Sequence, residues 1–218
     1  MDGDSDPKID SASPAAVEAL LEAEQSLRDY RGDDATNFWQ SLDHAAYDLY
    51  GLSRRDRVLI EDMVGLTIDF QRTHEKSIAL KSCSTESLKQ YAEWLMRGIQ
   101  PLFAAGSDLG LRAKIYNWKR AQGTAAPSRS LRVIEFAFED NAHGEAEIVE
   151  VGDLDAALSR IEAGLHAELA EGLYTRRHLR IYDQNRFYIL KPDHQRSWSR
   201  SAALNDADAV IADHLRGP

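Results

Sequence analysis

The chain has 218 residues, with a hydrophobic fraction of 43% and a charged fraction of 28%, enough to build a core in one large domain or two small ones. Its formal net charge of −10 opposes free-standing duplex binding, because phosphate affinity grows with the number of Lys and Arg contacts. The single cysteine, Cys83, excludes an intrachain disulfide; no apolar run reaches the ~20 residues of a membrane helix; and residues 1–7 lack the basic and apolar parts of a signal peptide. Together these features predict a cytoplasmic protein with no membrane partner.

Residues 1–12 are acidic and small and are expected to form a disordered tail. A helix can begin with Ser13 as N-cap and Pro14 in the first turn, with Val17, Leu20, Leu21 and Leu27 as its apolar stripe and Gly32 beyond its end. A second helix begins near Asp34, runs through Phe38, Trp39, Leu42, Ala46 and Leu49, and stops at Gly51. Ser53 then caps a third, with Asp56 three residues on. This third helix, roughly 54–72, places Val58, Leu59, Met63, Leu66 and Phe70 at helical spacing. After a polar break at 76–84, a fourth helix over 85–105 presents Leu88, Tyr91, Leu95, Ile99 and Leu102, and Pro101 should bend or end it. The basic segment 111–120 reads as a fifth. Residues 13–120 are thus expected to form a helical bundle, and the Gly-, Pro- and Ser-containing stretch 121–130 reads as a linker.

Beyond the linker the pattern changes. Residues 131–138 alternate like a strand, 140–144 form a turn, and 146–151 give a second strand. Asp153 can cap a helix bearing Leu154, Leu158, Ile161, Leu165 and Leu169. A hairpin follows, 179–182 and 186–190 around a short loop. The last helix starts at Ser201 with Ala203, Leu204, Ala207, Val210, Ile211 and Leu215 facing inward. The order over 131–218 is ββαββα, so the fold class is α+β: a helical bundle followed by a small antiparallel sheet with helices.

One stretch departs from the acidic balance. From 176 to 200 the chain carries Arg176, Arg177, Arg180, Arg186, Lys191, Arg196 and Arg200 against only Asp183 and Asp193, interleaved with Tyr182, Phe187, Tyr188 and Trp198. A second basic segment holds Arg112, Lys114, Lys119 and Arg120. Guanidinium forks grip phosphates and exposed aromatic rings stack on unpaired bases, so both segments are candidates for contact with DNA or a protein partner. The alternative is internal: the arginines pair with Asp206, Asp208 and Asp213, and Trp198 and Tyr188 fill the core.

No catalytic pattern accompanies the basic stretch. A metal-dependent nuclease needs acidic residues followed by Glu-x-Lys or Asp-x-Lys on a strand, but residue 189, two before Lys191, is Ile. Glu135, Asp140, Glu145, Glu147 and Glu150 read instead as the solvated face of a hairpin. The seven histidines show no ligand spacing, and neither a phosphate-binding loop nor a dinucleotide fingerprint occurs, so no metal, cofactor or catalytic residue is assigned.

Two segments resemble a known family. Trp39-Gln-Ser-Leu-Asp-His-Ala-Ala-Tyr-Asp-Leu-Tyr-Gly-Leu-Ser53, continuing into Asp56-Arg-Val-Leu-Ile-Glu61, resembles a helix–Tyr-Gly-Leu–helix element. That element lies in the C-terminal, non-catalytic regions of bacterial N6-adenine DNA methyltransferases and fused restriction–methyltransferase proteins. Arg177-His-Leu-Arg-Ile-Tyr-Asp, Tyr188-Ile-Leu-Lys-Pro and Arg196-Ser-Trp-Ser-Arg-Ser-Ala-Ala-Leu-Asn-Asp-Ala-Asp208 resemble the ending of proteins from restriction or phage-defence loci. The Gly-rich loop and the Asn/Asp-Pro-Pro-Tyr/Phe loop that such enzymes need are absent. The resemblance therefore implies a non-catalytic accessory or DNA-recognition subunit of a DNA modification, restriction or phage-defence system, working with a separate methyltransferase, helicase or nuclease. The alternatives are a protein–protein adaptor that never meets nucleic acid, or an unrecognised nuclease.

Overall fold

Short-range capping chemistry sets the first helices where the sequence places them. Pro14–Asp29 forms α1, with the Ser13 carbonyl accepting from the amides of Ala16 (2.9 Å) and Val17 (3.2 Å). Thr36–Leu49 forms α2, which packs on α1; Gly51 follows it at φ 62°, a left-handed position that favours glycine. Arg54–Asp62 forms α3, opened by a reciprocal capping box. The Asp56 amide donates to Ser53 Oγ and the Ser53 amide donates back to Asp56 Oδ2, both at 3.2 Å. The computed structural model describes residues 13–29, 36–103, 108–118, 131–142, 144–151, 179–183 and 185–216. The linker at 121–130 and the helix expected from Asp153 lie outside them, as do the acidic tail expected over 1–12 and the start expected for the second helix near Asp34.

Two units divide the chain, Met1–Glu61 and Asp62–Pro218. The segment expected to be helical over 54–72 is helical to Thr73, but in three pieces. After α3 comes a π-helical stretch, Met63–Ile68, and then α4, Asp69–Thr73. Two single 3-10 turns, His74–Lys76 and Ile78–Leu80, fill the polar break. Helix α5, Thr85–Ile99, is capped by Ser84 Oγ, which accepts from the Ser87 amide (3.0 Å). It passes into a 3-10 turn containing Pro101. Its stripe of Leu88, Tyr91, Leu95 and Ile99 is buried as the spacing requires.

The basic segment after α5 is a strand, not a fifth helix. In β1, Leu109–Trp118, the residues Leu111, Ala113 and Ile115 enter the core while Arg112 and Lys114 alternate outward, a period of two. Leu131–Asp140 forms β2, Ala146–Val151 β3, Leu179–Asp183 β4 and Arg186–Pro192 β5, in the spatial order β3-β1-β2-β5-β4. The sheet is mixed, not antiparallel throughout. β3 does not fold back on β2 as a hairpin; it lies parallel to β1, with Ala113 opposite Ala146. Gly110 makes this possible. The turn after β2 crosses the start of β1 so closely that a Cβ at Gly110 would lie inside the contact shell of the Ala142 carbonyl, and the Asn141 amide bonds Asp108 O across the same crossing (2.6 Å).

On one face of the sheet α5 packs with the last helix, α6, Arg200–Arg216. Leu95, Ile99, Ala203, Ala207 and Val210 meet Ile115, Ile134, Phe136, Phe187 and Ile189. The helices approach closely at Gly98, where an added Cβ would stand 2.6 Å from that of Ala207. In α6 the expected inward set holds for Ala203, Leu204, Ala207 and Val210, but Ile211 is only half-buried and Leu215 is exposed. The class is α+β.

Candidate functional site

The register brings the two basic segments together. On the sheet face opposite α5 and α6, one row runs Arg112, Ala137, Arg186, Asp183, and the next runs Lys114, Glu135, Tyr188, Ile181. Arg112, Lys114 and Arg186 are each partly exposed there. Carboxylates face all three: Arg112 lies 3.6 Å from Glu139 and 3.3 Å from Glu145, Lys114 lies 3.8 Å from Glu135, and Arg186 lies 3.6 Å from the same Glu135 oxygen. Glu135, expected on a solvated hairpin face, is instead buried. Its second oxygen accepts from the Tyr116 hydroxyl (2.6 Å), and β2 is the central strand of the five. Burial pushes the Tyr188 hydroxyl up, and Glu135 adds to the effect.

The rest of the island turns inward. Arg180 reaches Asp213 on α6 (3.1 Å), which also accepts from the Tyr182 hydroxyl (2.8 Å), and stands 4.0 Å from Asp206. Lys191 is only 6% exposed. Its ammonium pairs with Asp206, donates to Ser197 O (3.1 Å), and lies 4.9 Å from the ring centre of Tyr91 and 5.6 Å from that of Trp198. Burial lowers the Lys191 pKa, and Asp206 opposes that shift. Trp198, at 1% exposure, packs edge-on against Tyr91 and donates its indole N–H to Pro192 O (2.9 Å), so its ring has no face for a base to stack on. Arg200 donates to Asp62 (3.0 Å), whose other oxygen accepts from the Ser201 amide (2.7 Å) at the start of α6. Among the described Lys and Arg of the island only Arg196 is exposed, its guanidinium 5.1 Å from the Phe70 ring. Arg176, Arg177, Lys119 and Arg120 lie outside the described residues.

A second buried acid escaped the sequence reading. Asp193, at the end of β5, accepts from Ser82 Oγ (2.5 Å) and the Cys83 amide (2.9 Å) and faces Arg132 at 3.2 Å, tying the sheet to the loop that starts α5. Burial alone would raise its pKa. The Ser82 hydroxyl, Cys83 amide and Arg132 outweigh burial and hold the carboxyl below its ordinary value. Burial, with Asp193 adding to it, pushes the Cys83 thiol up to about 12, which makes it a poor nucleophile at neutral pH. The only sequence hint was the run Lys191-Pro192-Asp193, a charge beside a strand end with no local partner.

The helical unit Met1–Glu61 has the opposite character. Its fully buried apolar side chains, among those described, are Ala16, Ala45 and Val58. Leu21 is 63% exposed, Trp39 53% and Tyr50 61%, with Val17 and Leu59 also exposed. The expected stripe of α1 is therefore partly uncovered. This unit carries 14 Asp and Glu against 6 Lys and Arg, a net −8, whereas Asp62–Pro218 carries 22 against 20, a net −2. Among the described residues no group of three or more His, Cys, Asp or Glu is placed to hold a metal ion, and no helix is long and apolar enough to cross a membrane.

No protein-family model matches the chain, and neither a curated protein nor a solved structure is detectably similar to it.

Proposed function

We propose that this chain is a non-catalytic accessory subunit of a bacterial DNA modification, restriction or phage-defence system, and that it works by docking a protein partner through its helical unit. The system is suggested by the resemblance of the Tyr50-Gly51-Leu52 helix corner and the C-terminal string to regions of N6-adenine methyltransferases and defence proteins. The docking role is supported by one observation above the others: the unit Met1–Glu61 fully buries no described apolar side chain larger than Val58, yet exposes Leu21, Trp39 and Tyr50. Helices with so little interior need a further surface to cover their apolar faces. The partner in this reading is a methyltransferase, helicase or nuclease subunit, which holds the catalytic groups. Co-expression with that subunit from the same locus should give a complex that co-elutes on gel filtration and that Trp39→Ser together with Leu21→Ser disrupts. Failure of every such subunit to co-elute would sink the reading.

A second reading is favoured by Arg112, Lys114 and Arg186 in two adjacent rows of one sheet face: direct contact with DNA phosphates. It predicts binding to short DNA that weakens with salt at a log–log slope of about −0.9 per phosphate, and that Arg112→Glu with Arg186→Glu abolishes.

A further inference from the structure

We infer that the occupant of the helical unit is a cationic, apolar-faced helix of the partner protein. This rests on the docking reading above and names the chemistry of that same surface. Along α2 and the turn residue that follows it, whose amide still donates to Ala46 O, Trp39, Asp43 and Tyr50 fall within about 40° of one another around the helix axis over about 16 Å, and all three are exposed. In α1, Val17 and Leu21 share a face, with Glu24 on it and Glu18 and Glu22 beside it. Arg28 pairs with Glu24 and Arg57 with Asp48, so the nearby cations offset those two acids; Glu18, Glu22 and Asp43 remain exposed. Each exposed apolar face therefore carries carboxylates on it or beside it.

Charge decides among the surfaces that could cover such stripes. A unit of net −8 repels nucleic acid, repels an anionic bilayer, which recruits helices through Lys and Arg, and repels a second copy of itself. A helix with Leu or Phe along one face and Lys or Arg at its borders satisfies both features. Its apolar ridge covers Leu21, Trp39 or Tyr50, and its cations meet Glu18, Glu22 or Asp43. The carboxylates then set the orientation and speed of encounter, and the apolar contacts set how long it lasts.

The test uses the full chain and a labelled synthetic peptide of about 18 residues, leucine and lysine at helical spacing, followed by fluorescence anisotropy. Its twin with glutamate for every lysine, and phosphatidylglycerol vesicles, are run beside it, with sedimentation of the chain alone. The lysine peptide should bind, weaken about tenfold from low to physiological salt, and weaken at least about fivefold on Trp39→Ser or Asp43→Lys. The glutamate twin and the vesicles should not bind, and the chain should not self-associate. Equal binding of the two peptides, binding of vesicles in place of the lysine peptide, or an affinity untouched by both substitutions overturns the inference. If Trp39→Ser lowers helicity by circular dichroism, the exposed exchange Asp43→Lys decides alone. The peptide contains nothing of a DNA-modification system. Peptide binding without a co-eluting catalytic subunit therefore refutes only the proposed function, and a salt-resistant complex indifferent to Asp43→Lys refutes only the cationic helix.

Discussion

The two units use charge and apolar surface in opposite ways. In Asp62–Pro218 charged groups are drawn into the fold: Lys191 with Asp206, Arg180 with Asp213, Arg132 with Asp193 and Arg200 with Asp62. Four of its aromatic residues, Tyr91, Phe136, Phe187 and Trp198, are sealed, while Tyr182 is exposed. In Met1–Glu61 the carboxylates are in excess and a tryptophan and a tyrosine stand in solvent. A cluster of cations in a sequence is thus a poor guide to an anionic ligand when strands and helices from elsewhere bring carboxylates to it. The more telling sign of a binding surface is apolar area that the fold leaves uncovered.

The contrast can be broken most forcibly at the buried pair. Asp206→Ala strands the Lys191 ammonium in the interior and removes the acceptor of the Tyr91 hydroxyl, and should cost about 3–5 kcal/mol in urea unfolding. Replacing both partners, Lys191→Met with Asp206→Leu, should recover most of that loss. If Asp206→Ala proves neutral, the ion pair is not structural. Trp198→Ala should cost a similar amount, about 3–5 kcal/mol, through the lost packing on Tyr91. Gly110→Ala should destabilise next, by about 1–3 kcal/mol or more, because the Ala142 carbonyl must move and carry the parallel placement of β3 with it.

Smaller effects follow pH. The Asp193 carboxyl sits below its ordinary value of 3.8, so the stability it contributes is present above that value and is lost as pH falls through the folded pKa. Cys83 and Tyr182 are both raised to about 12, from 9.0 and 10.0. Above pH 9 the unfolded chain loses these protons first, and stability should fall between pH 9 and 12. Cys83→Ala should flatten the lower part of that fall in thermal melts taken at successive pH values. In the helical unit the expected cost is smaller: Trp39→Ser should destabilise less than Trp198→Ala, because Trp39 is 53% exposed and Trp198 1%.

Local chemistry was the legible part of the fold. The Ser53–Asp56 capping box, Gly51 and the stripe of α5 were readable because each depends on residues within a few positions. β1 is not legible as a strand because Leu111, Ile115 and Trp118 satisfy a helical spacing as well, and only pairing with β2 and β3 selects the strand. The parallel placement of β3 was illegible for a related reason. It depends on Gly110 meeting Ala142 across some thirty residues, a contact that no window of sequence displays. At the candidate site, Asp206 and Asp213 were recognisable as possible partners of the island because they lie on the next helix. Asp62, Glu135 and Asp193 were not, since their cations arrive from distant strands and helices. The exposed stripe of α1 looked like core because a periodic apolar face is the same signal whether the fold or a partner covers it.

Hydrogen exchange on the chain, alone and bound to the partner subunit proposed above, tests most directly which surface works. The expected result is new protection confined to α1 and α2, with the β4–β5 hairpin and the start of α6 unchanged because their side chains are already engaged within the fold. Protection concentrated on β4, β5 and the Arg196 turn, with α1 and α2 unaltered, would contradict it.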